Sequence, residues 1–132
     1  MILLDTQVLL WLLYGDHRLG MRARVAIDDA FAAGRAAVSA ITFWEVAMLQ
    51  AKGKIALQAD IHSWREGLLD EGLIEIPVDG RTAVRAGLLQ DMHGDPADRL
   101  IVATALDGHR LVTADRRILD WPGQLDRLRA TT

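Results

Sequence analysis

The chain has 132 residues, of which 51% are hydrophobic and 25% charged, with a formal net charge of −3 and no cysteine. This length and apolar content predict one globular domain spanning residues 1–132 and exclude a disordered chain. The lack of cysteine excludes disulfides, thiolate metal sites and a cysteine nucleophile. The longest apolar run, residues 8–14, is too short for a membrane span of ~20 residues, so we expect no membrane association and a cytoplasmic protein.

Strand and helix patterns alternate along the chain. In chain order they predict a strand at 2–4, helices at 6–14 and 20–33, a strand at 36–39, helices at 40–52 and 59–71, a strand at 73–78, helices at 80–92 and 96–107, a strand at 110–113, a short helix from 115 and an edge strand at 124–129. This alternation indicates an α/β fold with a parallel sheet and helices on both faces. Ligands of such sheets bind beyond the carboxyl ends of the strands.

Two of the predicted strands are followed by an aspartate. Asp5 comes directly after the strand at 2–4, and Asp115 follows the strand at 110–113 with one residue between. If these strands are neighbours in a parallel sheet, both carboxylates lie at the same edge. Each residue is also explained as a helix N-cap that accepts amide hydrogens, so neither one alone decides between the two interpretations.

Glu45 lies on an apolar stripe of its predicted helix, at helical spacing from Ile41, Met48 and Leu49. Burying a carboxylate without a partner costs on the order of several kcal/mol. Glu45 therefore needs a cation, a hydrogen-bond network or a raised pKa, unless it pairs with an arginine or lies where the stripe meets solvent.

Asp98 lies near the start of the helix that Asp95-Pro96 opens. As the third helical residue it fits the acidic position of a capping box, where it complements the helix dipole. It also shares a helix face with Ile101 and Val102, which would direct it inward. The local rules leave both interpretations open.

Three other residue types are interpreted more simply. The histidines show no zinc spacing and are interpreted as surface or capping residues: His17, His62, His93 and His109. The tryptophans are interpreted mainly as core residues and not as a base-stacking surface: Trp11, Trp44, Trp64 and Trp121. Arg99 is predicted to be a structural partner for a nearby acid.

Four segments, taken in order, resemble the PIN-domain family and, within it, the VapC-type toxins of bacterial toxin–antitoxin pairs. They are Leu3-Leu4-Asp5-Thr6, Trp44-Glu45, the run from Asp95-Pro96-Ala97-Asp98-Arg99 through Ala103-Thr104-Ala105, and Leu111-Val112-Thr113-Ala114-Asp115. The Asp-Pro-x-Asp-Arg run is the most specific of the four. The resemblance extends over essentially the whole chain, with no departure at the acidic positions.

The resemblance implies a PIN-like three-layer fold with a central parallel sheet of about five strands. It implies an endoribonuclease whose carboxylates Asp5, Glu45, Asp98 and Asp115 converge on one or two Mg²⁺ or Mn²⁺ ions, since carboxylates alone favour these ions over zinc. Asp5 and Asp98 are the best candidates for direct ligands. Thr6 and Thr113 could orient the adjacent acids or serve only as turn hydroxyls.

The resemblance also implies partners. These are an RNA substrate, cut to leave a 5′-phosphate and a 3′-hydroxyl, a second copy of the chain and a cognate VapB-like antitoxin. The net negative charge argues against RNA binding, but a metal would mask four of the 18 acidic residues. Nine arginines could flank the cleft and hold phosphates: Arg18, Arg22, Arg24, Arg35, Arg81, Arg85, Arg110, Arg116 and Arg117.

Alternative functions differ in how well the residues fit. A haloacid-dehalogenase-type phosphatase needs a second aspartate two residues after the first, where this chain has Gln7. A receiver domain needs a lysine late in the chain, but the only lysines are Lys52 and Lys54. A PIN-like interaction module without catalysis and an RNA-processing nuclease without an antitoxin both stay open.

Overall fold

The computed structural model describes residues 1–132 as five strands and seven helices. The strands are β1 (Ile2–Leu4), β2 (Ala36–Ser39), β3 (Ile74–Ile76), β4 (Arg110–Thr113) and β5 (Arg127–Arg129). The helices are α1 (Thr6–Leu13), α2 (Met21–Ala32), α3 (Ile41–Ala51), α4 (Ile61–Asp70), α5 (Gly80–Leu88), α6 (Pro96–Ala105) and α7 (Arg116–Leu119). None of the helices has the length and apolar content needed to cross a membrane.

All five strands form one parallel sheet in the order β3-β2-β1-β4-β5. The predicted edge strand is present, although only Arg127–Arg129 pair with β4. The central strand β1 lies between β2 and β4, with Leu3 opposite Ala37 on one side and Leu111 on the other. The predicted α/β fold with a five-stranded parallel sheet is therefore confirmed.

Successive side chains of each strand point to opposite faces of the sheet, so the core is divided into two clusters, one on each face. Leu4 and Val112 pack with Val8 and Ile27, so α1 and α2 cover one face. The adjacent strand residues point the other way. They contact α6 and α7 on the opposite face, in a cluster that includes Leu3, Leu111, Ile101, Val102 and Ile118. Helices, sheet and helices thus make three layers, and the strand order brings the ends of β1 and β4 together.

Helix α5 ends at Leu88, four residues before the predicted boundary. Leu89 adopts an extended backbone (φ −58°, ψ 128°) and the chain continues as a loop to α6. The carbonyls of Gly87 and Leu89 accept hydrogen bonds from the side chain of Arg99, which comes from α6. Because this donor comes from another helix, the composition of residues 89–92 could not reveal where α5 ends.

Candidate active site

The four predicted carboxylates line one cleft at the carboxyl end of the sheet. Asp5, Glu45, Asp98 and Asp115 all contact a cavity of about 660 Å³. Asp5 follows β1 and Asp115 follows β4, and Leu4 pairs with Val112 in parallel register, so the two strands end at the same edge. Helices α3 and α6 pack against each other and add the other two acids. The structure thus brings together acids from widely separated parts of the chain.

Asp5 is buried and both of its carboxylate oxygens accept hydrogen bonds. Oδ1 accepts the amide of Thr6 at 2.9 Å, which makes Asp5 the N-cap of α1, and Oδ2 accepts the hydroxyl of Thr113 at 2.7 Å. Burial raises the pKa of Asp5 to about 7, and the negative charges of Asp98 and Glu45 add to the rise, against the lowering effect of the Thr113 hydroxyl. Capping and lining the cleft are therefore compatible roles for this residue.

Glu45 lies half-buried at the edge of the cleft. Its Oε1 accepts the Thr6 hydroxyl at 2.5 Å, and that hydroxyl lies 2.9 Å from the hydroxyl of buried Thr42. No basic side chain forms an ion pair with Glu45. Burial raises its pKa, and the charges of Asp98 and Asp95 raise it further. Thr6 thus orients the distant Glu45 through its hydroxyl and the adjacent Asp5 through its amide. No sequence signal indicated Thr42, whose hydroxyl contacts that of Thr6.

Asp98 is buried in the first turn of α6, where its charge complements the helix dipole, and its side chain contacts His93 rather than the Asp95 amide of a capping box. Its amide donates to Asp95 Oδ1 at 3.1 Å within the first turn of α6, while its side chain faces the cleft. Oδ2 lies 2.7 Å from His93 Nε2 and 3.5 Å from an Nη of Arg117. Burial raises the pKa of Asp98 above its usual range, whereas the hydrogen bond from His93 opposes that rise. Asp98 is therefore desolvated, and negatively charged surroundings add to its cost of ionisation.

Asp115 completes the cleft as the N-cap of α7. Its Oδ1 accepts the amide of Arg117 at 2.8 Å, and its own amide donates to the Thr113 hydroxyl oxygen at 3.1 Å. Because that hydroxyl in turn donates to Asp5, Thr113 connects the two aspartates that follow neighbouring strands. This position of Thr113 fits the predicted orienting role for the acids.

The prediction that His93 is a surface or capping residue is wrong. Its side chain is only 16% exposed and hydrogen-bonds to Asp98. Ligand atoms of His93, Asp98 and Asp115 all lie within 4.8 Å of one another. When Asp98 is ionised, the 2.7 Å contact requires a proton on Nε2, and Nδ1 is a buried ring nitrogen without a hydrogen-bond partner. The only sequence signal was the position of His93 five residues before Asp98.

Arg99 does not pair with an acid as predicted. Its guanidinium donates to five backbone carbonyls between α5 and the start of α6, at 2.8–3.2 Å: Ala86, Gly87, Leu89, Met92 and His93. Carbonyls can replace a carboxylate here because five N–H donors in one plane can serve several acceptors. Arg99 therefore holds the loop that presents His93 to Asp98.

Only some of the candidate arginines lie at the cleft. Arg117 lies 3.4 Å from Asp115 as well as near Asp98, and Arg18 lines the cleft while paired with Asp16 at 2.6 Å. Arg35 and Arg110 instead line a separate cavity with the residues that begin β1, at the opposite edge of the sheet. The predicted phosphate-binding role does not fit these two positions.

The PIN domain family model matches residues 2–123. The chain belongs to the PIN-domain family. Among curated proteins, this PIN domain is 38% identical over 118 residues to "Ribonuclease VapC22" of Mycobacterium tuberculosis (strain ATCC 25618 / H37Rv), an alignment that covers 89% of this chain and 88% of the relative. The resemblance drawn from the four sequence segments is thus confirmed.

Solved structures share the fold of this PIN domain at low sequence identity. A toxin–antitoxin complex from Klebsiella pneumoniae matches with a TM-score of 0.62 and 22% identity over 98% of each chain. DNA-bound VapBC from Salmonella typhimurium matches with a TM-score of 0.70 and 19% identity over 96% of each chain. VapBC2 from Rickettsia felis, bound to a DNA fragment from its promoter, matches with a TM-score of 0.65 and 16% identity, over 92% of this chain and 94% of that one. These likenesses support the three-layer architecture described above.

Proposed function

We propose that this PIN domain is a metal-dependent endoribonuclease that acts as the toxin of a toxin–antitoxin pair and is neutralised by a VapB-like antitoxin. The relative named Ribonuclease VapC22 supports the ribonuclease activity, and the likeness to toxin–antitoxin complexes supports the biological role. The observation that carries the proposal is the convergence of Asp5, Glu45, Asp98 and Asp115 on one cleft. We further propose that residues 1–132 act as one catalytic domain, in the cytoplasm and as a homodimer.

The residues present fit a divalent cation. Desolvation raises the pKa of Asp5, Glu45 and Asp98, and neighbouring negative charges contribute to each rise, so the cleft stabilises its carboxylates poorly without a counter-charge. Oxygen donors of this kind suit a hard cation such as Mg²⁺ or Mn²⁺. We propose Asp5 and Asp98 as the direct ligands, with Glu45 and Asp115 completing the site or acting through water.

The chain's own residues prepare this chemistry. A divalent cation supplies Lewis acidity, which makes water a better nucleophile near neutral pH and neutralises charge on a phosphate. Thr113 and the Thr6 amide fix the orientation of Asp5, the Thr6 hydroxyl fixes Glu45, and His93 fixes Asp98. Because these partners are already in place, the carboxylates lose little conformational freedom when the site is loaded.

The function is tested by RNA cleavage under controlled metal conditions. Purified protein is expected to cleave single-stranded RNA with Mg²⁺ or Mn²⁺, leaving 5′-phosphate and 3′-hydroxyl ends, and to lose activity with EDTA because the carboxylates alone cannot neutralise the phosphate. Activity should return when excess metal is added back. Cleavage that persists in EDTA would contradict the proposal. The toxin role is tested separately, by co-expressing a candidate VapB-like antitoxin and measuring relief of growth arrest.

His93→Leu is expected to weaken Mn²⁺ binding by about 10–100-fold, the range found when a partner behind a metal ligand is removed. Leucine fills the space but cannot donate to Asp98 Oδ2, whereas His93→Gln keeps a donor and should retain more of the affinity. Calorimetric Mn²⁺ titration of the wild type and both variants measures the effect. Equal affinities in all three proteins would mean that the 2.7 Å contact does not position Asp98 for metal.

A further inference from the structure

One side of the cleft carries an exposed tryptophan and the only two lysines of the chain. Trp44 is 51% exposed, although Trp11 and Trp121 are each only 7% exposed. Lys52 and Lys54 are exposed, and neither forms an ion pair. The prediction that the tryptophans are mainly core residues is therefore wrong for Trp44. This group, with Met48, is called the α3 flank below.

The geometry of α3 places the α3 flank next to the proposed catalytic residues. Trp44, Met48 and Lys52 follow one another at four-residue spacing, in the row beside Glu45 and Leu49. They line a cavity of about 210 Å³ together with Lys54, and Glu45 and Leu49 line both this cavity and the catalytic cleft. The two cavities therefore adjoin along α3.

The opposite wall of the smaller cavity is the start of α6. Asp95, Pro96 and Ala97 line it. Asp95 is the one acid on this wall, and its Oδ1 already accepts the amide of Asp98 at 3.1 Å as the cap of α6. Lys52 and Lys54 carry the positive charge of the α3 flank, and Glu45 and Asp95 are the two acids that line the same cavity.

We propose that the α3 flank is a subsite for single-stranded RNA, in which Trp44 stacks on an unpaired base and Lys52 and Lys54 contact phosphates. This inference rests on the proposed function and names how that site holds its substrate. Proteins recognise single-stranded RNA by stacking bases on aromatic side chains, with cationic groups along the backbone. A strand running from the carboxylate cleft over Glu45 and Leu49 reaches Trp44 directly.

Charge favours RNA over a protein segment as the occupant. A peptide that fills a cleft lined by four carboxylates needs cationic side chains, which Lys52 and Lys54 would repel. An RNA strand is negatively charged along its length, so the lysines attract it beside the cleft. Within the cleft, a divalent cation offsets the carboxylates.

The test measures RNA binding in the Asp5→Asn background, which is designed to bind substrate without cleaving it. Fluorescence anisotropy of a labelled single-stranded RNA in Mg²⁺ compares this parent with added Trp44→Leu, Trp44→Phe or Lys52→Gln/Lys54→Gln. We expect Trp44→Leu to weaken binding about tenfold and Trp44→Phe to weaken it less, because phenylalanine still stacks. The lysine pair should reduce the slope of log affinity against log salt by about 0.7 for each phosphate that is no longer neutralised.

Matched controls distinguish the subsite from general effects. Arg35→Gln removes one positive charge at the opposite edge of the sheet and should leave binding and salt dependence nearly unchanged. With Asp5 restored, Trp44→Leu should raise KM about tenfold and change kcat by less than about threefold, since stacking lies away from the reacting phosphate. Thermal unfolding of each variant checks that the exposed substitutions leave the fold intact.

Binding by Trp44→Leu within about twofold of its parent would overturn the inference, as would equal weakening by leucine and phenylalanine. Loss of antitoxin binding with unchanged RNA binding would also overturn it and assign the α3 flank to a protein partner. If the wild type binds RNA through Trp44 but does not cleave it, the proposed function fails and the subsite stands. If the wild type cleaves RNA and Trp44→Leu matches its KM, only the subsite fails.

Discussion

Asp5→Asn and Asp98→Asn are each expected to abolish RNA cleavage while the protein stays folded. Asparagine keeps the shape of each side chain but removes the charge that would bind a divalent cation. Removing a residue that only hydrogen-bonds to a metal ligand typically lowers metal affinity or activity about 10–100-fold. Loss of a direct ligand should therefore lower kcat by more than about 100-fold. Steady-state cleavage of a labelled RNA at saturating Mg²⁺ measures the effect.

The control for these variants is Asp28→Asn. Asp28 is an exposed carboxylate on α2 that forms no ion pair, so its loss changes the net charge equally without touching the cleft. Full activity is expected for Asp28→Asn. Full activity in Asp5→Asn or Asp98→Asn, with far-ultraviolet circular dichroism unchanged, would show that the cleft carboxylates do not perform the chemistry.

The free energy of unfolding of the metal-free protein is expected to fall as the pH rises from about 4 to about 7. Burial raises the pKa of Asp5 from 3.8 to about 7, so in this range the folded protein keeps a proton that the unfolded chain has lost. A state that binds more protons is stabilised at low pH and loses that advantage as pH rises through its pKa. A shift of about three pKa units corresponds to roughly 4 kcal/mol, which we take as an upper bound for Asp5.

Urea denaturation in EDTA between pH 4 and pH 8 measures this dependence. Ionisation of Glu45 and Asp98 also lowers the free energy of unfolding as the pH rises, because burial raises their pKa values as well. Asp5→Asn should be more stable than the wild type at pH 8 and show a flatter profile, since asparagine does not ionise. Mn²⁺ should restore the stability of the wild type at pH 8 but affect Asp5→Asn much less. A metal-free wild type whose stability is constant or rises from pH 4 to pH 7 would contradict the buried, desolvated state of Asp5.

The order of the elements could be predicted from local patterns. The strands at Ala36–Ser39 and Arg110–Thr113 have their predicted bounds, because short apolar runs bounded by glycine or charged residues indicate buried strands. The start of α6 could be predicted from Asp95-Pro96, since capping involves residues close in sequence. The end of α5 could not be predicted in this way, because the carbonyls there accept hydrogen bonds from Arg99 of α6.

The sequence by itself determined which four acids are candidates for the site, through the strand ends, one apolar stripe and one helix start. Only the tertiary structure decided what each acid contacts. Thr113 donates to Asp5 from 108 positions away, and His93 reaches Asp98 because Arg99 holds its loop. The exposure of Trp44 was likewise decided by which row of α3 packs against the rest of the molecule. Periodicity and capping depend on neighbouring residues, whereas burial and hydrogen-bond partners at a cleft depend on how distant elements pack.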